Sequence, residues 1–208
     1  MSNPGPASVP SSEGPDLKAA AGARVVVCVT GGIAAYKTAT VVSRLAQAGA
    51  QVTVAMTEAA THFVTPLTFQ ALSARPVYTS AWQHVESQDP QHISLASAAN
   101  VVVVAPCTMD CMAKLAAGMT DDIVTLILSA VDRARTPVLL APAMNSVMWA
   151  QPSTRRNART LAEDGFEFVG PGEGWQACRH VGTGRMSEPE EILRRVAAVL
   201  GSRVSSRP

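Results

Sequence analysis

Two side chains with useful chemistry stand near the ends of predicted strands. Asn145 closely follows the apolar run 138–141, and His92 stands ahead of the apolar run 100–105. Ligands of open α/β sheets bind outside the carboxyl ends of the strands, which is where Asn145 lies. The alternative for an asparagine at that place is a purely structural role, as the cap of the next helix. Cys178, ahead of a Gly-x-Gly-Arg segment, adds a thiol, so these three residues are the candidates for catalysis.

A glycine turn early in the chain predicts an anion site. The β-branched run 24–30 is typical of a strand buried on both faces, and Gly31-Gly32 then opens a segment, 33–48, with apolar residues at helical spacing. Backbone N–H groups and the helix dipole face one point at such a turn. The full G-x-G-x-x-G fingerprint is absent, so the pattern favours a mononucleotide phosphate over a dinucleotide. Thr57, at the end of the next predicted strand, is placed to add a hydroxyl group.

Composition and charge exclude several classes of function. The chain has 208 residues, 47% of them hydrophobic, and a formal net charge of +1. Without a basic stripe, a nucleic-acid partner is not expected. No apolar run is long enough for a membrane span, and residues 1–23 lack the apolar segment of a signal peptide. We therefore expect a cytoplasmic protein without a membrane partner.

The cysteines give no metal signature. Cys28, Cys107, Cys111 and Cys178 form no zinc-type Cys-x-x-Cys pair. Cys107 and Cys111 have the spacing of a metal half-site, but no His or Cys partner stands near them in the sequence. Reduced thiols and no bound metal are therefore predicted.

The alternation of strand and helix patterns predicts a single α/β domain with a mostly parallel sheet between helices on both faces. Residues 1–22 are predicted to be a flexible tail, 23–200 the domain, and 201–208 a second tail. Within the domain, 170–186 contains five glycines and no apolar periodicity, which predicts a functional loop. The predicted strands are 24–30, 51–56, 100–105, 137–141 and 166–169.

Taken together, five segments resemble the homo-oligomeric flavin-containing cysteine decarboxylases, the family of phosphopantothenoylcysteine decarboxylase and the epidermin-type peptidyl-cysteine decarboxylases. The resemblance covers roughly residues 24–197. It implies a three-layer flavodoxin-like (Rossmann-like) fold, FMN at a subunit boundary, and a homotrimer or a dodecamer built from trimers. The matching segments are GGIAAYK at 31–37, HISLA at 92–96, APCT at 105–108, PAMNSVMW at 142–149, and AC at 177–178 with GTGRM at 182–186.

The resemblance also implies roles for individual residues. His92 would be the base or orienting group near the substrate thiol, and Asn145 would hydrogen-bond the substrate carboxylate and adjacent amide through its donor and its acceptor. Cys178 would help to return a proton, and the loop 170–186 would be a clamp that closes over the substrate. The expected FMN-binding residues are Gly31, Gly32, Ile33, Thr57, Phe63, Thr108, Ala143 and Met144. The expected substrate-binding residues are Asn145, Met148, Arg179, Arg185 and Met186.

The implied reaction is decarboxylation of a terminal cysteine. FMN would take a hydride from the carbon that bears sulfur, and the resulting thioaldehyde would let CO2 leave. The chain ends at Pro208 without a synthetase domain, which favours the C-terminal cysteine of a ribosomally made precursor peptide, giving an aminoenethiol for aminovinyl-cysteine formation. Cys178 favours the alternative, 4'-phosphopantothenoylcysteine of coenzyme A biosynthesis.

Departures from the family pattern leave the substrate open. Arg179 and His180 stand where coenzyme A enzymes usually have a glycine and an acidic residue, and either side chain could contact an anionic substrate or a peptide carboxylate. Cys107 and Met109 replace small residues. A non-catalytic regulatory flavoprotein is a further alternative, and a test for loss of CO2 distinguishes it from an enzyme. A prenyl-flavin transferase is disfavoured because its glycine-serine turn is absent.

Overall fold

A computed structural model describes residues 14–83, 90–177 and 179–204. The strands are β1 Arg24–Val29, β2 Gln51–Met56, β3 Val77–Tyr78, β4 Val101–Cys107, β5 Val138–Pro142, β6 Glu167–Phe168, β7 Gly172–Trp175 and β8 Val181–Arg185. The α-helices are α1 Ala35–Gln47, α2 Glu58–Thr61, α3 Pro66–Ser73, α4 Gln91–Ala98, α5 Met109–Ala116, α6 Ile123–Ala130, α7 Ser146–Ala150, α8 Pro152–Glu163 and α9 Pro189–Val204.

Six parallel strands form the central sheet in the order β3-β2-β1-β4-β5-β6. The central strands are rich in valine and buried on both faces, because α1, α3 and α9 cover one face and α4, α5, α6 and α8 cover the other. The predicted three-layer α/β fold is confirmed. Its strand order is that of the Rossmann fold and not the 2-1-3-4-5 order of flavodoxin, and the direction of winding reverses between β1 and β4.

The boundaries of the domain differ from the predicted ones. A 3₁₀ turn, Lys18–Ala20, packs against α9 and buries Ala20 completely, so the packed region begins inside the predicted tail 1–22. Residues 1–13 lie outside the described part of the chain. At the other end, α9 continues to Val204, past the predicted boundary at 200. The packing of this segment was not predictable from the sequence, because a single buried alanine forms no periodic apolar pattern.

The segment 170–186 is not an irregular loop. Strands β7 and β8 pair with each other in an antiparallel hairpin, separate from the main sheet. The hairpin leaves Trp175 and Val181 largely exposed, which explains why no alternation of apolar residues marked its strands. Cys178 lies outside the described residues.

Two separate helices, α2 and α3, occupy the segment between β2 and β3. Thr65 is the N-cap of α3 and Pro66 its first residue, so the chain leaves α2 and starts again at the proline. Phe63 falls in the link between the two helices, with 49% of its surface exposed. Among the described residues, no helix combines the length and the hydrophobicity that a membrane span requires.

Candidate active site

A cavity of about 1060 Å³ opens at the carboxyl ends of β1, β2, β4 and β5, where the strand order reverses. This is the position at which sheets of this topology bind ligands. Its walls are the glycine turn, the start of α2, the loops around α5, the segment after β5, and the hairpin. The lining residues are 30–34, Tyr36, Lys37, 57–59, 108–111, Lys114, 121–122, 143–145, Met148, 175–177 and 184–186.

Two threonines fix the strand ends that form the floor of the cavity. The buried Thr30 hydroxyl donates to the Pro106 carbonyl oxygen at 2.7 Å and accepts from the Thr108 N–H at 3.1 Å. Thr38 donates to the Ala105 carbonyl oxygen at 2.7 Å. These bonds join β1 and α1 to the end of β4. Sequence reasoning missed Thr30, although a threonine between a buried strand and a glycine turn was a usable signal.

The glycine turn fits a phosphate group. Within the described residues, the backbone N–H groups of Gly31, Ile33 and Ala34 donate no hydrogen bond to the protein. At Gly31, a Cβ atom would stand 2.4 Å from the Cβ of Ala59, so only glycine allows this approach of the two segments. Three donors at the start of a helix form an anion site. FMN carries such a phosphate, and this turn would hold it.

Two further hydroxyl groups are available to bind the same phosphate group. Thr57 and Thr108 are the N-caps of α2 and α5, where each oxygen accepts from a backbone N–H, of Ala60 and of Cys111, at 3.3 Å. Because these bonds use the oxygen, the hydroxyl hydrogen of each threonine remains a potential donor to an anion. Both side chains line the cavity, as the sequence predicted.

A lysine and three aspartates form one wall. Lys114 lies 3.0 Å from Asp121, 3.3 Å from Asp122 and 3.5 Å from Asp110. Burial opposes the charge of the lysine, but the hydrogen bond that it donates to Asp121 and the charges of Asp110 and Asp122 raise the pKa of Lys114 overall. The same hydrogen bond lowers the pKa of Asp121. Lys114 therefore stays protonated and holds the loop before α6 against α5.

Three thiols lie together beneath this wall. Burial raises the pKa of Cys28, and a hydrogen bond with Cys111, followed by burial, raises the pKa of Cys107. All three are free and buried, and the raised pKa values keep Cys28 and Cys107 protonated. In the described part of the chain, no cluster of His, Cys, Asp and Glu could hold a metal ion.

Asn145 is both a helix cap and a residue of the cavity. Its Oδ1 accepts from the N–H groups of Val147 at 2.9 Å and Met148 at 3.1 Å, which caps α7. The sequence predicted that both the donor and the acceptor of this amide would contact a substrate. Since the cap already uses the acceptor twice, the group that suits a substrate carboxylate is the amide nitrogen.

The hairpin is fixed at its base by an ion triad. The Glu188 carboxylate accepts two hydrogen bonds from Lys37 Nζ, both at 3.0 Å, and pairs with Arg185. Lys37 is 9% exposed and belongs to α1, whereas Arg185 ends β8. Both cations line the cavity, so Glu188 neutralises them and connects the hairpin to the helix that starts at the glycine turn.

We expect the Glu188→Gln substitution to lower the free energy of unfolding by about 1–2 kcal/mol, because it leaves the buried Lys37 cation unpaired. The value stays below that of a fully buried pair because half of the Glu188 side chain is exposed. Urea unfolding measures the change. Glu191→Gln is the matched control: it removes an equal charge from the first turn of α9, and the described residues give Glu191 no ion pair. Equal losses in both variants would contradict the role of Glu188.

The structure brings most of the predicted site residues together. Those that line the cavity are Gly31, Gly32, Ile33, Thr57, Thr108, Ala143, Met144, Asn145, Met148, Arg185 and Met186. Phe63 and Arg179 do not line it, and neither does His92, which is half-buried in the first turn of α4. Cys178 lies outside the described residues. The resemblance placed the flavin at a subunit boundary, and the role of His92 stays a prediction for such an assembly.

Comparison with known proteins identifies the family. A family model described as "Flavoprotein" matches residues 14–201. The chain belongs to the Flavoprotein family. The resemblance recognised from the five sequence segments is confirmed.

Individual relatives within the Flavoprotein family are enzymes. The "Coenzyme A biosynthesis bifunctional protein CoaBC" of Bacillus subtilis (strain 168) is 47% identical over 170 residues, which is 82% of this chain and 41% of that protein. The chain thus spans less than half the length of this curated relative.

Solved structures of the family superpose closely on the fold. A cysteine-to-serine variant of PPC decarboxylase, complexed with pantothenoylaminoethenethiol, has a TM-score of 0.77 and 30% identity over 85% of this chain and 97% of that one. The FMN-dependent cysteine decarboxylase SpaF has a TM-score of 0.75 and 26% identity over 89% of this chain and 99% of that one.

Proposed function

We propose that this protein is an FMN-dependent cysteine decarboxylase that acts on 4'-phosphopantothenoylcysteine. The observation that carries the proposal is the 47% identity over 170 residues to a coenzyme A biosynthesis protein. The sequence alone ranked a peptide substrate first and this compound second, and the comparisons favour the reverse order. Because the chain matches 41% of that relative, the proposal concerns the decarboxylation only.

The cavity supports the binding of both partners of this reaction. The N–H groups of the glycine turn and the hydroxyls of Thr57 and Thr108 would hold the FMN phosphate. Bound FMN would supply the electron acceptor that lets a cysteine carboxylate lose CO2. Asn145 would donate its amide N–H to the substrate carboxylate and orient it, and the hairpin would exclude water from the reacting carbon.

Two predicted roles complete the proposal. His92 would take the proton of the substrate thiol, since histidine is the side chain that most often acts as a general base in enzymes. Cys178 would supply the proton, and the reduced FMN would supply the hydride, that turn the enethiol left after CO2 loss into a saturated thiol, as the resemblance implies for the pantothenate-pathway enzymes. A similar solved structure supports this role. It is a cysteine-to-serine variant of PPC decarboxylase with a bound aminoethenethiol, so a protein that lacks one cysteine holds an unsaturated compound.

A peptide ending in cysteine is the second candidate substrate. The similarity to the FMN-dependent cysteine decarboxylase SpaF favours it. Both substrates present the same terminal cysteine to the cavity. They differ in what extends beyond the hairpin, a phosphopantothenoyl arm or a peptide chain.

A single assay tests the function. The purified protein, loaded with FMN, is incubated separately with 4'-phosphopantothenoylcysteine and with a peptide ending in cysteine, and the products are weighed by mass spectrometry. We expect loss of CO2 from the first substrate and a saturated thiol product. Loss of CO2 from the peptide alone would support the second candidate. No CO2 loss from either substrate would overturn the proposed activity.

A further inference from the structure

Gln176 is a buried amide that the proposed chemistry does not use. It stands at the start of the hairpin turn, directly after β7, and only 7% of its surface is exposed. Its neighbours Trp175 and Ala177 line the cavity. A buried amide of this kind must use its hydrogen-bonding groups, because burying them unsatisfied is costly.

The Gln176 side chain joins the hairpin to helix α7. Its Oε1 accepts from the Ser146 N–H at 3.1 Å, and its Nε2 donates to the Gly182 carbonyl oxygen at 3.2 Å. The first bond crosses from the hairpin to α7, and the second crosses from β7 to β8. The backbone N–H of Gln176 also donates to the His180 carbonyl oxygen at 2.9 Å, which fixes the residue in the turn.

Two amides therefore close the start of α7. Gln176 accepts from the N–H of Ser146, and Asn145 accepts from those of Val147 and Met148. The first N–H groups of a helix have no partner within the helix, so each needs one from elsewhere. Without Gln176, the Ser146 N–H would compete for Asn145 Oδ1 or turn towards water. Either change would alter the orientation of the Asn145 amide.

The backbones of the two segments touch at the same place. A Cβ atom on Gly182 would lie 2.8 Å from the Cβ of Ser146, and one on Gly184 would lie 2.5 Å from the Met144 carbonyl oxygen. The Met144 N–H donates to the Gly184 carbonyl oxygen at 2.9 Å. The hairpin thus rests on the Asn145 turn, 144–146, and the Gln176 amide is the side-chain link between them.

We propose that Gln176 is a positioning residue that locks the hairpin to the Asn145 turn, so that these two walls of the cavity hold the substrate carboxyl group as one unit. The role rests on the proposed function, since it acts through Asn145. It separates substrate binding from binding of the FMN phosphate, because the glycine turn that would hold the phosphate follows β1, whereas the Asn145 turn follows β5, and β4 lies between these two strands. Loss of the lock should therefore weaken substrate binding and leave binding of the FMN phosphate unchanged.

Two substitutions at this position separate its two hydrogen bonds. Gln176→Met keeps the length of the side chain and removes both bonds. Gln176→Glu keeps an acceptor for the Ser146 N–H and removes the donor to the Gly182 carbonyl. Gln151→Met and Gln151→Glu are the matched controls, because Gln151 is exposed at the other end of α7 and does not line the cavity.

The first measurement does not require turnover. We expect amide hydrogen exchange at Ser146 to rise about tenfold in Gln176→Met, to rise less in Gln176→Glu, and to stay unchanged in both controls. The affinity for FMN, measured by fluorescence quenching, should be unchanged in all four variants. Unchanged exchange at Ser146 in Gln176→Met would overturn the lock.

The second measurement uses the substrate that the wild-type protein decarboxylates. We expect Gln176→Met to raise KM about tenfold while kcat falls by a smaller factor, and Gln176→Glu to recover part of the loss. A loss that follows the melting temperature, with weakened FMN binding, would indicate a general structural role and overturn the proposal. Absence of wild-type turnover on every substrate would overturn the proposed function and with it the coupling to substrate, while the exchange result would still decide whether the lock exists.

Discussion

Replacing Gly31 with alanine is expected to weaken FMN binding by about a hundredfold or more and to yield a colourless protein. The new Cβ would meet the Cβ of Ala59 at 2.4 Å and its carbonyl carbon at 3.0 Å, so the backbone of one segment must move. Such overpacking costs about 1–3 kcal/mol, and the movement also displaces the N–H groups of Gly31 and Ile33. Fluorescence quenching of FMN titrated with the apoprotein measures the affinity.

Gly32→Ala is the internal control for this prediction. A Cβ at Gly32 would lie 3.4 Å from Thr108 Cγ2 and 3.8 Å from Pro106 Cγ, which are ordinary van der Waals distances. We therefore expect FMN affinity within a few-fold of the wild type. Circular dichroism should show both variants folded. Equal retention of FMN by the two variants, or equal loss, would contradict the assignment of the phosphate site to the close approach at Gly31.

The layered fold was predictable because its strands carry strong local signals. Runs of valine mark β1 and β4 as strands buried on both faces. A threonine follows each strand, Thr30 after β1 and Thr108 after β4. The glycine turn was predictable for the same reason, because the strand, the two glycines and the start of the helix follow one another directly in the sequence. By contrast, β3 was missed because it has only two residues, whereas the equally short β6 lies within the longer run 166–169 that the sequence marked as a strand.

Contacts between distant segments were not predictable from local patterns. Gln176 and Ser146 are 30 positions apart, and Thr30 and Thr108 are 78 apart, so their hydrogen bonds depend on how the finished sheet brings loops together. The resemblance implied that Phe63 binds FMN, but Pro66 starts a new helix after it, and Phe63 is half exposed and does not line the cavity. His92 was taken from the HISLA segment of the resemblance, and a sequence segment does not show whether its side chain reaches the cavity of the same chain.

Asn145→Asp is expected to abolish turnover while the protein stays folded and yellow. Aspartate is as good an N-cap as asparagine, and its charge is favourable at the start of α7, so the bonds from Val147 and Met148 are kept. What the substitution removes is the amide donor, and it places a negative charge against the substrate carboxylate. Loss of a hydrogen bond to a charged group, with repulsion added, predicts a fall in kcat/KM of at least about a hundredfold.

The comparison with Asn145→Ala separates the cap from the chemistry. Alanine removes both functions and should also lower the stability by about 0.5–2 kcal/mol, because α7 loses its cap. If Asn145 acted only through the cap, activity would follow stability: aspartate would keep it and alanine would lose it. If the amide donor orients the substrate, both variants lose turnover and only alanine lowers the melting temperature. Measuring kcat/KM, the FMN absorbance spectrum and the melting temperature of the three proteins distinguishes the two cases, and an active aspartate variant would remove Asn145 from the mechanism.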